Sequence, residues 1–203
     1  MKKISLLLNV VLASLLISMV ASPSICSAQD NDVLDVIKSR TSIRTYTDQP
    51  VERAKQEQML RAAMSAPTAN NQQPWSFIVI EKKEILERLA GLSRSVAGAP
   101  LAIIVCGDFT KTTSESWIQD CSAASQNILL AAHAQGLGAV WCGVLLKDSS
   151  VEAIVKEFDL PDYIRPLNII TIGYPDEEAQ KQQPKYKFKP ENVHYNGWIT
   201  KFE

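Results

Sequence analysis

Three clusters of side chains in this chain are of types that bind as well as pack. Arg40, Ser42 and Arg44 fall at alternate positions of Arg40-Thr41-Ser42-Ile43-Arg44-Thr45-Tyr46. In an extended segment alternate residues share one face. Two guanidiniums with a hydroxyl between them can hold a phosphate or another anion; the same spacing also describes a polar strand edge with solvated arginines. The second cluster is Ala66-Pro67-Thr68-Ala69-Asn70-Asn71-Gln72-Gln73-Pro74-Trp75. Its carboxamides donate and accept hydrogen bonds without charge, which suits a planar polar heterocycle. Pro and Asn equally build a plain helix-to-strand turn. The third is Cys142-Gly143 near the end of an apolar run, where a glycine lets a ligand approach the backbone. Lys185, Lys187 and Lys189 follow in a polar C-terminal segment.

The elements that must position these residues are legible as alternating periodicities. Asp30 to Ser39 and Glu52 to Ser65 carry apolar residues at helical steps, the second stopped by Pro67. Lys82 to Leu92 reads as one exposed amphipathic helix and Ser149 to Phe158 as another. Glu115 to Gln135 is the longest helix. Its many Ala and Ser residues allow close approach of another helix, either in an ordinary core or at the centre of a dimer; Gly136 supplies a left-handed cap. Trp75 to Ile80, Leu101 to Gly107, Ala139 to Leu145 and Pro166 to Tyr174 read as strands. Mixed strands and helices give α+β or α/β with a central sheet between helices. The segment from Pro100 to Glu115 leaves room for only a small lid. The tail from Pro175 ends in His194-Tyr195-Asn196-Gly197-Trp198, and so many aromatics imply that it docks on something.

Composition sets the class. The 203 residues, 46% hydrophobic and 21% charged with a formal net charge of −1, fit one globular domain with a sizeable core. No basic stripe points to nucleic acid. The start differs: Met1-Lys2-Lys3, an apolar run from Ile4 to Val20, then small residues up to Ala28. That order is a secretory signal peptide. We expect cleavage after Ala28, leaving residues 29–203 as a single domain exported to the periplasm with no membrane partner. Retention as an anchor, or lipidation at Cys26, is the alternative. Cys106, Cys121 and Cys142 remain, an odd number set in apolar patterns, which reads as small buried hydrophobes and not as a disulfide framework. No His/Cys spacing resembles a zinc site, and no metal is expected.

Taken in order, the motifs resemble one family. Arg40-x-Ser42-Ile43-Arg44-x-Tyr46, then Ala66 to Trp75 with Phe77, then Gly136-Leu137-Gly138-Ala139-Val140-Trp141-Cys142-Gly143, then Lys189-Pro190-Glu191-x-Val193-His194-Tyr195 are similar to the nitroreductase family of FMN-dependent oxidoreductases. The likeness spans the chain after the signal segment. It implies an α+β three-layer sandwich with a mainly antiparallel central sheet, and a homodimer holding two FMN molecules at its interface. Arg40, Thr41, Ser42 and Arg44 would meet each FMN from one subunit, and Pro67, Thr68, Ala69 and Asn71 from the other. Cys142 and Gly143 would face the flavin N5 edge through backbone N–H groups. Lys187 and Lys189 would approach the phosphate, where related chains often carry an arginine.

The resemblance implies no catalytic side chain: chemistry lies on the flavin, and Arg44 gives electrostatic support. NAD(P)H or another donor would reduce FMN, and a small nitroaromatic or quinone-like acceptor would then be reduced in ping-pong fashion. Export leaves the donor open, since nicotinamide cofactors are scarce outside the cytoplasm. The alternatives are an exported flavin-binding redox carrier without turnover, or a dehalogenase-like or flavin-fragmenting enzyme of the same fold.

Overall fold

The computed structural model describes residues 26–145, 148–182 and 188–198, with side chains from residue 33 onward. The chain divides after Asp35 into two units. Of the first, only the start of helix α1 (Cys26–Ser39) is described; the architecture below is that of the second. No described helix is long and apolar enough to cross a membrane.

Four strands form one antiparallel sheet: β1 (Trp75–Ile80), β2 (Leu101–Asp108), β3 (Gly138–Gly143) and β4 (Ile164–Gly173), in the order β1-β2-β4-β3. Every residue of β2 is buried. That is why it reads as an unbroken apolar run: the sheet is covered on both faces. Alternate residues feed two cores. Leu101, Ile103 and Val105 face α2 (Arg53–Met64) and α5 (Trp117–Ala134). Ala102, Ile104 and Cys106 face α3 (Lys83–Arg88), α4 (Arg94–Ala97) and α6 (Asp148–Phe158). The result is the α+β three-layer sandwich that the resemblance implies. Each fully buried Ile or Leu contributes about 1.5–3 kcal/mol to it.

Several expectations change in detail. The helix expected over 82–92 is broken: α3 stops at Arg88, a 3-10 turn covers Ala90–Leu92, and α4 follows. Gly91 weakens a continuous helix, and Leu86 and Leu89 are buried in the second core, not on an exposed face. Pro166 lies inside β4, opposite Cys106, where the β2–β4 register shifts; a residue without an N–H is tolerated at such an irregularity. Of the small residues of α5, Ala124 and Ala132 are fully buried in a core shared with Met59 and Ala63 of α2, while Ser122, Ala123 and Ala131 are half-buried and Ala134 is exposed. Gly136 takes the expected left-handed conformation at φ 76° and closes α5.

The tail past β4 begins with α7 (Glu177–Gln180), capped by Asp176 accepting the Ala179 N–H. Phe188, Tyr195 and Trp198 are exposed. The Trp198 ring stacks on His194 with centroids 4.2 Å apart.

Candidate functional site

The arginine cluster is fixed by the residue between its charges. Ile43 is buried and donates its N–H to the Ala139 carbonyl at 3.1 Å, so that Ser42 bridges to the free edge of β3. Gly138 permits this approach: a Cβ there would lie 2.5 Å from the Ile43 side chain. Tyr46 locks the far end. Its hydroxyl lies 2.6 Å from the Ile43 carbonyl and 2.8 Å from the Thr171 hydroxyl. Burial drives the phenol's ionisation far above its ordinary range, so it acts as a neutral anchor.

With that backbone pinned, Arg40, Thr41, Ser42 and Arg44 line one hollow of about 450 Å³. Arg44 donates back to the Ser42 carbonyl at 3.2 Å. Lys38 and the Gln182 amide complete the polar wall. Among the described residues no carboxylate lines it and three cationic residues do, a set whose chemistry suits an anion. Lys38 and Gln182 were not singled out from the sequence. Lys38, two residues before Arg40 in the last turn of α1, was visible there as a basic residue. Gln182 had no local signal. Lys189 is exposed and precedes a 3-10 turn over Pro190–Asn192. Lys187 lies outside the described residues.

The Asn/Gln loop occupies the other side of the molecule. It runs from the end of α2 through a 3-10 turn over Ala69–Asn71 to the start of β1. Asn70, Asn71 and Gln73 all have positive φ, at 52°, 54° and 50°. Such backbone persists where surrounding contacts enforce it, and here they do. Asp120 of α5 accepts the Ala69 N–H at 3.0 Å, and the Thr68 hydroxyl accepts the Gln73 N–H at 3.1 Å. The Thr112 hydroxyl donates to Gln72 at 2.7 Å, and Lys111 to the Trp75 carbonyl at 3.2 Å. Lys111 and Thr112, in the segment with room for only a small lid, thus buttress the loop. Asp120 has a sequence signal that went unread: it falls three residues after Trp117, on the buried stripe of α5. Its second carboxyl oxygen is buried with no partner among the described residues. Pro67 and Asn71 are exposed, Thr68 and Ala69 half-buried. The Gln73 amide donates to Asn71 Oδ1 at 3.1 Å, so the Asn71 carboxamide oxygen is engaged and its NH2 is the donor end.

Cys142 and Gly143 divide their roles. Ile43 bonds to the Ala139 carbonyl on the free edge of β3. Strand alternation therefore turns the Gly143 N–H toward that same edge, while Cys142 pairs with Ile169 in the ladder. Gly143 is exposed, and nothing lies within 4 Å of where its Cβ would be. The Cys142 thiol points into the second core, 3.3 Å from the Ser95 hydroxyl. Cys106 and Cys121 are buried, and burial pushes both thiols up to about 12.

Within one chain the two clusters do not meet. They lie at opposite edges of the sheet, about 14 Å apart across three strand spacings. They also lie at opposite ends of α5: Asp120 holds the loop, and His133 meets Ser39, next to Arg40, at 2.8 Å. At 1.5 Å per residue those anchors are about 20 Å apart along the helix axis.

The nitroreductase family model matches residues 37–99 and 91–174. The chain belongs to the nitroreductase family. A protein of Methanothermobacter thermautotrophicus, provisionally named NADH dehydrogenase/NAD(P)H nitroreductase, is 43% identical over 171 residues, 82% of this chain and 88% of the relative. A crystal structure of a protein from Parabacteroides distasonis, given the same provisional name, superposes with a TM-score of 0.78 at 43% identity, covering 83% of this chain and 99% of that one. An FMN-dependent nitroreductase from Clostridium difficile gives a TM-score of 0.73 at 33% identity, covering 81% and 99%. These nitroreductase relatives make oxidoreductase the class of activity and confirm the sandwich fold.

Proposed function

We propose that two copies of this chain form an FMN-dependent oxidoreductase that passes electrons from NAD(P)H or another donor to a small nitroaromatic or quinone-like acceptor. Each site takes Arg40, Thr41, Ser42, Arg44 and Gly143 from one copy and Pro67, Thr68, Ala69 and Asn71 from the other, while Cys142, expected to face the ring with its N–H, instead anchors Gly143 through the β3–β4 ladder. The observation that carries this reading is the separation of the two clusters by about 20 Å along α5. Each half is built and incomplete, and a second copy supplies what is missing.

The donor set fits the cofactor. The three-cation hollow suits a phosphate dianion. Gly143 lies on the same β3 edge, about 13 Å further along the strand, which is of the order of the reach of FMN from phosphate to ring. Its open surroundings admit a flat ring, and its edge-facing N–H offers a donor. Bound FMN would supply the electron transfer in both directions. The chain's residues bind and tune: Arg40 and Lys189, with Lys187, hold the phosphate, and Arg44 sets a cation beside the charge that develops on reduction. The Asn71 amide and Pro67 would meet the ring from the partner copy. The tail aromatics would dock on that copy.

We further propose, from the signal-peptide pattern, that the chain is exported to the periplasm with a cut after Ala28. An intact mass of the exported chain beginning at Gln29 is the expected result. For the activity, the purified mature protein should be yellow and dimeric, should keep about one flavin per chain through desalting, and should bleach anaerobically with NADH or NADPH. A colourless, monomeric product that takes up no added FMN would overturn the reading.

A further inference from the structure

His133 is a titratable group that none of the roles above uses. It lies in the last turn of α5, half-buried, with Nε2 2.8 Å from the Ser39 hydroxyl. Ser39 directly precedes Arg40, whose guanidinium lines the anion hollow. The ring therefore contacts the residue next to one of the hollow's cations. Burial, and then the charge of Arg40, hold its pKa below the ordinary value of 6.5. The backbone carbonyls at the end of α5 favour a cation, and of the two causes that oppose the proton it is the Arg40 charge that a bound anion would offset. Of the other charged groups at this helix end, Lys38 lines the hollow beside Arg40. Lys55, with Tyr174 and Glu52, gathers on the Gln135 carbonyl, two residues on and about 200° round the helix.

We propose that His133 is the proton-coupled member of the anion site: a dianion bound at Arg40 and a proton taken up by His133 favour each other. The coupling rests on reading the hollow as an anion site, and holds for any dianion there. An anion beside Arg40 offsets the guanidinium charge that acts on the ring. By linkage, the protonated ring strengthens the anion's hold by the same factor. Protonation also makes Nε2–H the donor to Ser39 and turns the Ser39 hydroxyl proton toward another acceptor.

Sulfate is the probe of choice, because it keeps both charges where the FMN phosphate takes up a proton near about pH 6. The chain has only two histidines, so ring C–H titrations by NMR are simple, with His194 as the internal control. Saturating sulfate should raise the His133 midpoint and leave that of His194 in place. Sulfate should bind about fivefold tighter at about pH 5.5 than at about pH 7.5. In His133→Gln that pH dependence should vanish, and in Arg40→Ala the midpoint shift should vanish. A His133 midpoint that ignores saturating sulfate overturns the coupling, as does a shift that survives Arg40→Ala. The flavin reading fails separately: a chain that shows the sulfate effects yet binds no FMN keeps this inference and loses that one.

Discussion

The two halves of the site are built by opposite strategies. The Asn/Gln loop is rigid through side chains: Asp120, Thr112 and Lys111 reach it from α5 and the segment after β2, and they enforce three left-handed residues. The arginine segment is held by one backbone bond from Ile43 and by its own uncharged Tyr46 hydroxyl. Ile43 and Tyr46 pin it to β3 and β4, while its charged side chains stay at the surface. The difference matches the ligand that the proposed function assigns to each half. An anion is held by charges that adjust around it. A flat ring needs a surface shaped before it arrives, because ordering a loop on binding costs affinity.

That contrast can be broken at chosen points. The largest effect is expected from Gly138→Val, which forces Ile43 off the β3 edge. Overpacking should cost about 1–3 kcal/mol in urea unfolding, and sulfate and FMN binding should be lost while Ala69 amide exchange stays slow. Arg40→Ala should leave the melting temperature alone. Removing charge-assisted bonds worth about 1.5–3 kcal/mol should weaken FMN, measured by fluorescence titration, roughly tenfold to a hundredfold. Asp120→Ala strikes the other half: amide exchange at Ala69 should accelerate while that of Ile43 does not, with about 1–2 kcal/mol lost.

The smallest effect separates the halves by pH. His133 is held below 6.5 by burial and by Arg40, so the fold favours its neutral form. The stability it contributes is complete above that value and declines as pH falls below it. Burial pushes the Asp108 carboxyl up, but bonds from Thr110 and Lys111 outweigh that and hold it below 3.8. Its contribution is complete above 3.8 and fades only as pH falls through the lower folded value. Thermal melts across pH should therefore lose stability in two windows. His133→Gln should flatten the upper limb and Asp108→Asn the lower one.

Local pattern determined much of this protein. The aromatic and β-branched residues of 75–80 mark β1, the apolar run from Leu101 marks β2 with its two covered faces, and Gly136 marks the end of α5. The order of four short motifs points to the family without any structure. Those signals are local because side-chain direction repeats every two or 3.6 residues. What the tertiary structure decided is non-local. Nothing in the spacing says that β1 and β3 are the two edges of the sheet, so that the loop and the arginines stand apart. Nor does it say that Asp120 and His133, on one helix, each hold one of them. Strand order and anchoring depend on which surfaces bury each other, a choice made between segments far apart in the chain, and no window of sequence contains both partners.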